Sequence, residues 1–511
     1  MAKIGLDDLL RNDAGSVAAM RPGPKASLSA LAEEIASRPR ARTYSANVIS
    51  SVVAAAELMF LVVSGVLLRA GYLQTGLLPD VPYAALIVGS ALTTVVALQS
   101  LQFYELGALR GPIPALVRVA AVWSAVALAA LAIAFIFKLG NEISRGWFVG
   151  WYGIGLLGLM SMRLIVRTAV RSMLREGLLD RRTAIVGGGP AAESLLRALD
   201  AQSDSEVRVI GVFDDRDEQR SPESVGGYPK LGTTDDLVDF VRRANLDLVI
   251  FTLPITAEDR ILSMLRKLWV LPVDIRLSAH QSKLRLRPRT YSYIGSVPVL
   301  AVTDRPIADW DVVFKWLFDR VVGACLLVLL TPLMLATALA VKLDSKGPVF
   351  FRQRRYGFNN ELIEVFKFRS MYADQADLTA SKLATRDDPR VTRVGRIIRK
   401  TSLDELPQLF NVVFKGNLSL VGPRPHAVNA SAENRRYDDI IDGYFARHRV
   451  KPGITGWAQI KGWRGETDTL EKIQKRVEHD LYYIENWSVF FDLYILAATP
   501  IALATKTENA Y

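Results

Sequence analysis

Residues 321–341 read VVGACLLVLLTPLMLATALAV, an uncharged apolar stretch long enough to cross a bilayer as a helix. Lysines and arginines flank it on both sides, within 315–320 and 342–355. Because basic flanks favour the cytoplasmic side of a membrane, both ends prefer the same side. At the centre, Pro332 removes a helical hydrogen bond, and the neighbouring Thr331 hydroxyl can satisfy the freed backbone group.

We therefore expect a re-entrant helix over about 313–345, broken at Thr331 and Pro332, that enters one leaflet and returns. The alternative is an ordinary kinked span, which would place everything after it outside the cell.

Four further apolar stretches of spanning length come earlier, at 48–68, 81–101, 113–137 and 148–166. They predict a four-helix transmembrane bundle over residues 46–170, the alternative being a bundle of buried soluble helices. Arginines cluster before the first stretch and after the fourth, so both ends of the bundle are expected in the cytoplasm. Arg163, near the end of the fourth stretch, is expected to extend to the membrane surface.

Composition narrows the class of protein. The net charge of +11 favours anionic lipid or phosphorylated substrates, and no basic stripe interleaved with aromatic residues indicates nucleic acid. The single cysteine, Cys325, excludes an internal disulfide and a cysteine-based metal site. Residues 1–45 are basic and polar without the apolar segment of a secretory signal, which predicts a disordered cytoplasmic tail.

Between about 180 and 300 the pattern alternates strands with helices, which predicts a Rossmann-like domain with a parallel, doubly wound sheet. Strands are predicted at 183–186, 207–213 and 246–251.

A glycine-rich turn follows the first of these strands. The sequence GGGPAA at 187–192 fits the G-x-G-x-x-A form of dinucleotide sites, and Asp214 follows the second strand. Gly187 and Gly189 are therefore candidate cofactor-binding residues. The alternative is a degenerate domain in which the glycines only make the turn tight. No Tyr-x-x-x-Lys occurs in the chain, which counts against a sugar oxidoreductase.

Residues 347–463 surround one acidic pair with many cations. Phosphoryl transfer needs cations on the phosphate oxygens, a divalent metal and a placed nucleophile. On a helix Asp404 and Glu405 would project about 100° apart, so one can attack phosphorus while the other holds Mg²⁺. The alternative is that Thr401 or Ser402 caps a short helix, with Glu405 as its capping partner.

Four segments of this region occur in a characteristic order: KFRSM at 367–371, LDELPQ at 403–408, VGPRP at 421–425 and KPGITG at 451–456. Together they resemble the signature of the bacterial sugar transferases, the monotopic phosphoglycosyl transferase family, over about 310–511. The four spans and the Rossmann-like domain resemble the long polyprenyl-phosphate hexose-1-phosphate transferases that initiate exopolysaccharide or capsule synthesis. That family usually has Ser-Pro at the helix break, where this chain has Thr331-Pro332.

The resemblance implies an α/β catalytic domain in which Asp404 forms a covalent phosphosugar intermediate and Glu405 binds Mg²⁺. It implies transfer of a hexose-1-phosphate from a UDP-sugar to undecaprenyl phosphate with release of UMP, at the cytoplasmic face of a bacterial inner membrane. UDP-glucose is expected before UDP-galactose as the donor. The residues expected to contact substrate are Arg352, Gln353, Lys367, Arg369, Arg399, Arg424 and Asp480.

The expected partners beyond the two substrates are the lipid bilayer, a second copy of the chain and downstream glycosyltransferases. Two other functions compete with this one. The first is an NAD-dependent nucleotide-sugar oxidoreductase or dehydratase that uses the glycine turn. The second is a non-enzymatic scaffold for polysaccharide export, which would not need an acidic pair inside a cationic site.

Overall fold

A computed structural model describes residues 28–37, 43–111, 114–138, 142–201, 207–216, 223–253, 258–278, 292–294, 297–373, 388–425, 431–432, 435–436, 444–463 and 469–505. These residues form two compact units, one within 40–181 and the other from the described residues before 40 and after 181. Within these ranges, five helices are long and apolar enough to cross a membrane.

The helices up to residue 175 are α1 (Ala30–Ser37), α2 (Ala46–Leu73), α3 (Val81–Ser100), α4 (Leu106–Leu109), α5 (Pro114–Ile136) and α6 (Arg145–Arg175). The four long helices α2, α3, α5 and α6 lie where the four spans are predicted. Each packs on two others, in the cyclic order α2, α3, α5, α6. Trp123, Trp147 and Trp151 are fully buried in their shared apolar cluster.

A buried ion pair lies inside this helical unit. Arg163 Nε is 2.6 Å from Glu57 Oε1, and the Tyr104 hydroxyl donates to Glu57 Oε2 at 2.6 Å. The expectation that Arg163 extends to the membrane surface is therefore wrong. Charged groups among apolar helices are stable when paired, and Glu57 on α2 supplies the partner.

The α/β domain consists of β1 (Arg181–Val186), α7 (Pro190–Asp200), β2 (Val207–Phe213), β3 (Ser224–Val225), β4 (Tyr228–Gly232), α8 (Thr234–Ala244), β5 (Leu248–Phe251), α9 (Glu258–Leu268), β6 (Asp274–Ser278), β7 (Ser292–Ile294) and β8 (Val297–Thr303). The strands form one sheet in the order β3-β4-β2-β1-β5-β6-β8-β7. Strands β1, β5 and β6 pair in parallel, while β8 is antiparallel to both β6 and β7. The predicted parallel sheet is thus mixed at both edges, because the short β3–β4 and β7–β8 connections permit only antiparallel hairpins.

Helices cover both faces of this sheet, because successive strand side chains point to opposite sides. Ala184 and Val186 of β1 pack in the apolar cluster that contains α8 and α9. Ile185, between them, packs in the cluster that contains α7.

Helix α1 packs on the first of these faces. Leu28 and Ala32 are buried in the cluster of α8 and α9, and the Ser29 hydroxyl donates to the carbonyl of Leu231 at 3.1 Å. The prediction of a disordered tail over 1–45 is therefore wrong for residues 28–37, whose small apolar side chains fit the helix onto this domain. Residues 1–27 and 38–42 lie outside the described residues.

The remaining elements are α10 (Asp309–Asp344), β9 (Phe350–Tyr356), β10 (Leu362–Phe368), α11 (Arg393–Thr401), α12 (Gln408–Phe410), β11 (Ser419–Val421), β12 (Ser431–Ala432), β13 (Arg435–Arg436), β14 (Gly453–Thr455), α13 (Trp457–Ile460), α14 (Leu470–Glu485) and α15 (Val489–Thr505). Strands β9 and β10 form an antiparallel hairpin, and β11 pairs in parallel with β14. Short 3-10 turns occur at Leu403–Glu405 and Tyr444–Arg449, and a π turn at Asn411–Lys415.

Helix α10 runs without interruption through Thr331 and Pro332, so the predicted break is wrong at the level of secondary structure. The Thr331 hydroxyl donates to the carbonyl of Leu327 at 2.6 Å. Packing on the elements that follow α10 holds both sides of the proline, since Leu330 and Met334 lie in their apolar clusters. One missing backbone hydrogen bond therefore does not end the helix.

The opposite face of α10 is apolar and open. Val328, Leu329 and Leu335 on that face are 65–75% exposed. The 36 residues of α10 extend about 54 Å, well beyond the roughly 30 Å of a hydrocarbon core.

Candidate active site

The acidic pair lies on a tight reversal of the backbone. Helix α11 ends at Thr401, and Ser402 takes a left-handed conformation with φ 60°. The next three residues, Leu403–Glu405, form the 3-10 turn, on which adjacent side chains diverge by about 120°. The Thr401 hydroxyl donates back to the carbonyl of Ile397, and Ser402 makes no capping hydrogen bond to the turn. The capping interpretation of the dyad is therefore wrong.

Glu405 is held between two cations. Lys367, on β10, donates to its Oε1 at 2.9 Å, and Arg424 donates to Oε1 at 2.6 Å and to Oε2 at 3.2 Å. The Glu405 side chain is only 12% exposed. Burial alone would raise the pKa of Glu405, but Arg424 and Lys367 hold it well below its ordinary value. Glu405 is therefore ionised at every physiological pH, and its two ion pairs hold it in position.

Asp404 differs from Glu405 in its contacts and in the direction of its pKa shift. Its carboxylate is half-buried and makes no hydrogen bond with any of the described residues. Burial raises the pKa of Asp404 to about 6, the attraction of Lys367 opposes the rise, and the negative charge of Glu405 adds to it. The half-buried Arg399, on α11, also favours the charged form. An ionised, unbonded carboxylate among cations has the properties of a nucleophile.

Arg424 is positioned by two loops that the sequence separates widely. Strand β11 leads into 422–425 and β14 belongs to 451–456, and the Gly422 N–H donates to the Thr455 carbonyl at 2.9 Å. A Cβ on Gly422 would lie 2.5 Å from the carbonyl oxygen of Lys451, so this approach requires glycine. The two predicted motifs therefore meet directly beside the dyad.

A second layer supports this loop. The Arg447 guanidinium donates to the carbonyl of Arg424 at 2.6 Å and lies 2.6 Å from Asp480 Oδ2. Asp480 is 1% exposed. Asp480, predicted to contact substrate, is thus joined to the loop of Arg424 through Arg447.

Two other predicted residues are also placed away from the dyad. Arg369 is buried and donates to the carbonyls of Lys346 and Ser345 at 2.8 and 2.6 Å, so it holds the segment after α10. Arg352 is exposed on the opposite face of the β9–β10 hairpin from Lys367, with its guanidinium over the ring of Phe366. Arg369 and Arg352 therefore lie outside the group of side chains that surrounds the dyad.

A small cavity opens beside Glu405, lined by Arg355, Val365, Lys367, Glu405, Gln408, Arg424, Pro425, Gly453 and Ile454. Three cations in this lining, Arg355, Lys367 and Arg424, suit an anionic part of a larger ligand. Sequence reasoning missed Arg355, Gln408 and Arg447. The alternation of β9 was the available signal for Arg355, since it places residues 353 and 355 on one face.

The glycine turn of the α/β domain is occupied by its own side chains. Gly187 and Gly189 have φ of 96° and 93°, and the intervening Gly188 N–H donates to Asp214 Oδ2 at 2.9 Å. Arg216 donates to the same Asp214 oxygen at 2.9 Å and also to the carbonyl of Gly188. Both backbone groups of Gly188 and the carboxylate of Asp214 thus have partners within the domain, which favours the degenerate interpretation.

Two family profiles and several known proteins match the chain. Residues 310–506 match the profile of the family described as bacterial sugar transferase, and residues 99–279 match that described as CoA-binding domain. The chain is 35% identical over 432 residues to the UDP-glucose:undecaprenyl-phosphate glucose-1-phosphate transferase of Xanthomonas campestris pv. campestris, covering 84% of this chain and 88% of that protein.

Two more relatives carry the same name. Identity to the protein of Klebsiella pneumoniae is 39% over 381 residues, which cover 74% of this chain and 79% of that one. Identity to the protein of Escherichia coli (strain K12) is 38% over 353 residues, which cover 69% and 74%. With its dyad, its cationic cavity and these matches, the chain belongs to the bacterial sugar transferase family.

Proposed function

We propose that this protein transfers glucose-1-phosphate from UDP-glucose to undecaprenyl phosphate, giving undecaprenyl-diphosphate-glucose and UMP. The observation that carries the proposal is the division of the dyad. Glu405 is clamped by Lys367 and Arg424, while Asp404 is half-buried and unbonded among the described residues. The names of the three relatives support the choice of donor and acceptor.

The proposed reaction has two steps. An Asp404 oxygen attacks the β-phosphorus of UDP-glucose, and an Asp–O–P bond forms. The bond from that phosphorus to the bridging oxygen breaks, and UMP leaves with its electron pair. An oxygen of undecaprenyl phosphate then attacks the same phosphorus, the aspartyl oxygen leaves, and the Asp404 carboxylate is restored.

Mg²⁺ is the cofactor that we propose. Among the described residues no group of three or more metal-ligating side chains comes together. Magnesium is, however, commonly held by one or two carboxylates together with substrate phosphates and water, so the dyad fits that mode. Glu405 Oε2 accepts a single protein hydrogen bond, at 3.2 Å from Arg424, and keeps a lone pair for the ion. When bound, the ion supplies positive charge to the diphosphate oxygens.

We propose that the active site lies at the cytoplasmic face of the inner membrane. Helix α10 would hold the domain there without crossing the membrane. Both halves of α10 are fastened to the domain that carries the dyad. Near one end, the Lys315 ammonium donates to the carbonyl of Val421 at 2.9 Å and forms an ion pair with Asp492. Near the other end, Asp344 accepts from the Val394 N–H at 3.1 Å. This attachment supports a helix that lies within one leaflet against the domain.

The reaction is tested with protein in nanodiscs, Mg²⁺ and undecaprenyl phosphate, with UMP release measured for UDP-glucose, UDP-galactose and UDP-N-acetylgalactosamine in parallel. We expect UMP to be released from UDP-glucose, and we expect repeated turnover to require both lipid and Mg²⁺. A higher rate with another donor would reassign the sugar. Folded protein that releases no UMP from any donor would contradict the proposal.

The topology is tested by cysteine labelling in a Cys325→Ser background. Asp309→Cys and Lys346→Cys mark the two ends of α10, and both positions are exposed. A membrane-impermeant maleimide should label both in inverted vesicles and neither in spheroplasts. Labelling of one end from each side would show a crossing helix instead.

A further inference from the structure

Arg355 lies on the catalytic face of the β9–β10 hairpin. In the register of the hairpin it pairs with Ile363, and Gln353 pairs with Val365. Since paired residues share a face, Arg355 and Gln353 lie on the same side as Lys367. Arg354, between them, is exposed on the other side.

The guanidinium of Arg355 is fixed by uncharged acceptors. Its Nε and Nη2 donate to Gln353 Oε1 at 3.1 and 2.8 Å, and its Nη1 donates to the carbonyl of Pro425. A guanidinium carries five N–H groups, so one on Nη1 and one on Nη2 stay available for a ligand. Arg355 lines the cavity together with Lys367 and Arg424.

Charge distinguishes Arg355 from its neighbours in the cavity. Lys367 and Arg424 both form ion pairs with Glu405, whereas Arg355 forms none within the described part of the chain. Burial and the nearby Arg424 lower the pKa of Arg355 to about 10, which leaves it charged at neutral pH. Arg355 is half-buried, and the carboxylates of Glu405 and Asp404 offset only part of the cost of its burial, so an anion bound in the cavity would stabilise it further.

We propose that Arg355 is a substrate-binding residue whose free N–H groups hold phosphate oxygens of the nucleoside diphosphate, and that Gln353 is the residue that positions it. Gln353 sets the plane of the guanidinium by accepting from two of its nitrogens. The fork geometry of arginine suits two oxygens of one phosphate. This inference rests on the proposed function, because the diphosphate is that of the donor.

The lipid phosphate offers the same chemistry, so the experiment separates the two sources. UDP binding is measured by calorimetry without lipid, and single-turnover UMP release from UDP-glucose is measured before lipid is added. Steady-state turnover with undecaprenyl phosphate is measured last. The variants are Arg355→Ala, Arg355→Lys and Gln353→Ala, with Arg354→Ala as the matched control on the opposite face of the same strand.

Arg355→Ala is expected to weaken UDP binding at least tenfold and to slow single-turnover UMP release by about 10²-fold, as when one fixed donor to a developing charge is removed. Arg355→Lys should recover only part of the loss, because an ammonium cannot reproduce the fork. Gln353→Ala should raise the KM for UDP-glucose more than it lowers kcat. A partly unfolded variant would instead lower kcat at unchanged KM. Arg354→Ala should stay within about twofold of the parent.

Wild-type UDP affinity in folded Arg355→Ala would overturn the inference, and thermal melts of each variant establish folding. If Arg355→Ala does not fold, Arg355→Lys and Gln353→Ala decide the question in the same assays. A defect confined to the lipid-dependent step would overturn the donor assignment in favour of the lipid phosphate. If the parent releases no UMP but binds UDP through Arg355, the proposed function fails and this inference stands.

Discussion

The glycine turn at 187–189 and the dyad turn at 402–405 are built from similar parts. Each reverses the chain through left-handed residues, and each brings a carboxylate next to arginine. In the glycine turn, Asp214 and Arg216 bind each other and the backbone of Gly188. In the dyad turn, Asp404 has no such partner among the described residues. A sequence motif therefore indicates where the chain turns. A carboxylate that the fold leaves without a hydrogen bond indicates where a ligand can react.

The largest expected effect comes from removing the unbonded carboxylate. Asp404→Asn should lower turnover by at least about 10⁴-fold, because the amide cannot form the aspartyl–phosphate bond. UMP release and membrane association are measured together, and the variant should stay folded and membrane-bound. Asp214→Asn is the matched control in the glycine turn and should stay within about twofold. Similar losses in both variants would remove the distinction between the two turns.

Glu405→Gln tests the paired member of the dyad. It leaves Lys367 and Arg424 without their shared counter-ion, so we expect a loss of about 3 kcal/mol in the free energy of unfolding. Turnover should fall by about 10²- to 10³-fold, since the metal ligand and the order of the cations are lost together. Thermal melts and UMP release report these two effects. An unchanged melting temperature would mean that the ion pairs contribute little.

The pH dependence should report Asp404 alone. The nucleophile is the ionised form, so single-turnover UMP release should be constant above the pKa of about 6 and fall tenfold per pH unit below it. The same shift lowers stability as pH rises. Because the folded-state pKa lies above the ordinary 3.8, the folded state binds the proton more tightly, so the contribution of Asp404 to stability decreases between about pH 4 and 6. If the rate of UMP release fell only near pH 4, the pKa of Asp404 would be close to its ordinary value, and its carboxylate would be more exposed to water than the structure indicates.

The smallest expected effect is at the glycine turn. Arg216→Ala removes a 2.9 Å ion pair whose arginine is 32% exposed, so we expect about 1 kcal/mol of destabilisation and turnover within about twofold. NAD should not shift the melting temperature of the parent protein. A large shift with NAD would revive the cofactor interpretation of Gly187 and Gly189, with Asp214 and Arg216 moving aside.

Local patterns predicted the elements well. Apolar runs of spanning length predicted where four of the apolar helices lie, and strand propensity predicted most of β1 and the whole of β2 and β5. The order of four short motifs predicted the family and the cations around Glu405, because such motifs are short enough to read without long-range contacts. The edge of the sheet and α1 were missed, since both depend on partners distant in sequence.

By itself, the sequence determined the family, the apolar helices and the dyad, because residue type and spacing carry that information locally. Only the tertiary structure decided which arginines face the cavity. Because side chains alternate along β9, Arg355 faces the cavity and Arg352 lies on the opposite face of the hairpin. Arg369 donates instead to the carbonyl of Ser345, just after the end of α10. It also decided that Arg163 meets Glu57, and that Asp480 works through Arg447. Each of these side chains takes its place from contacts with segments distant in the sequence, which local residue patterns do not show, and a buried charge is stable where the fold supplies a partner.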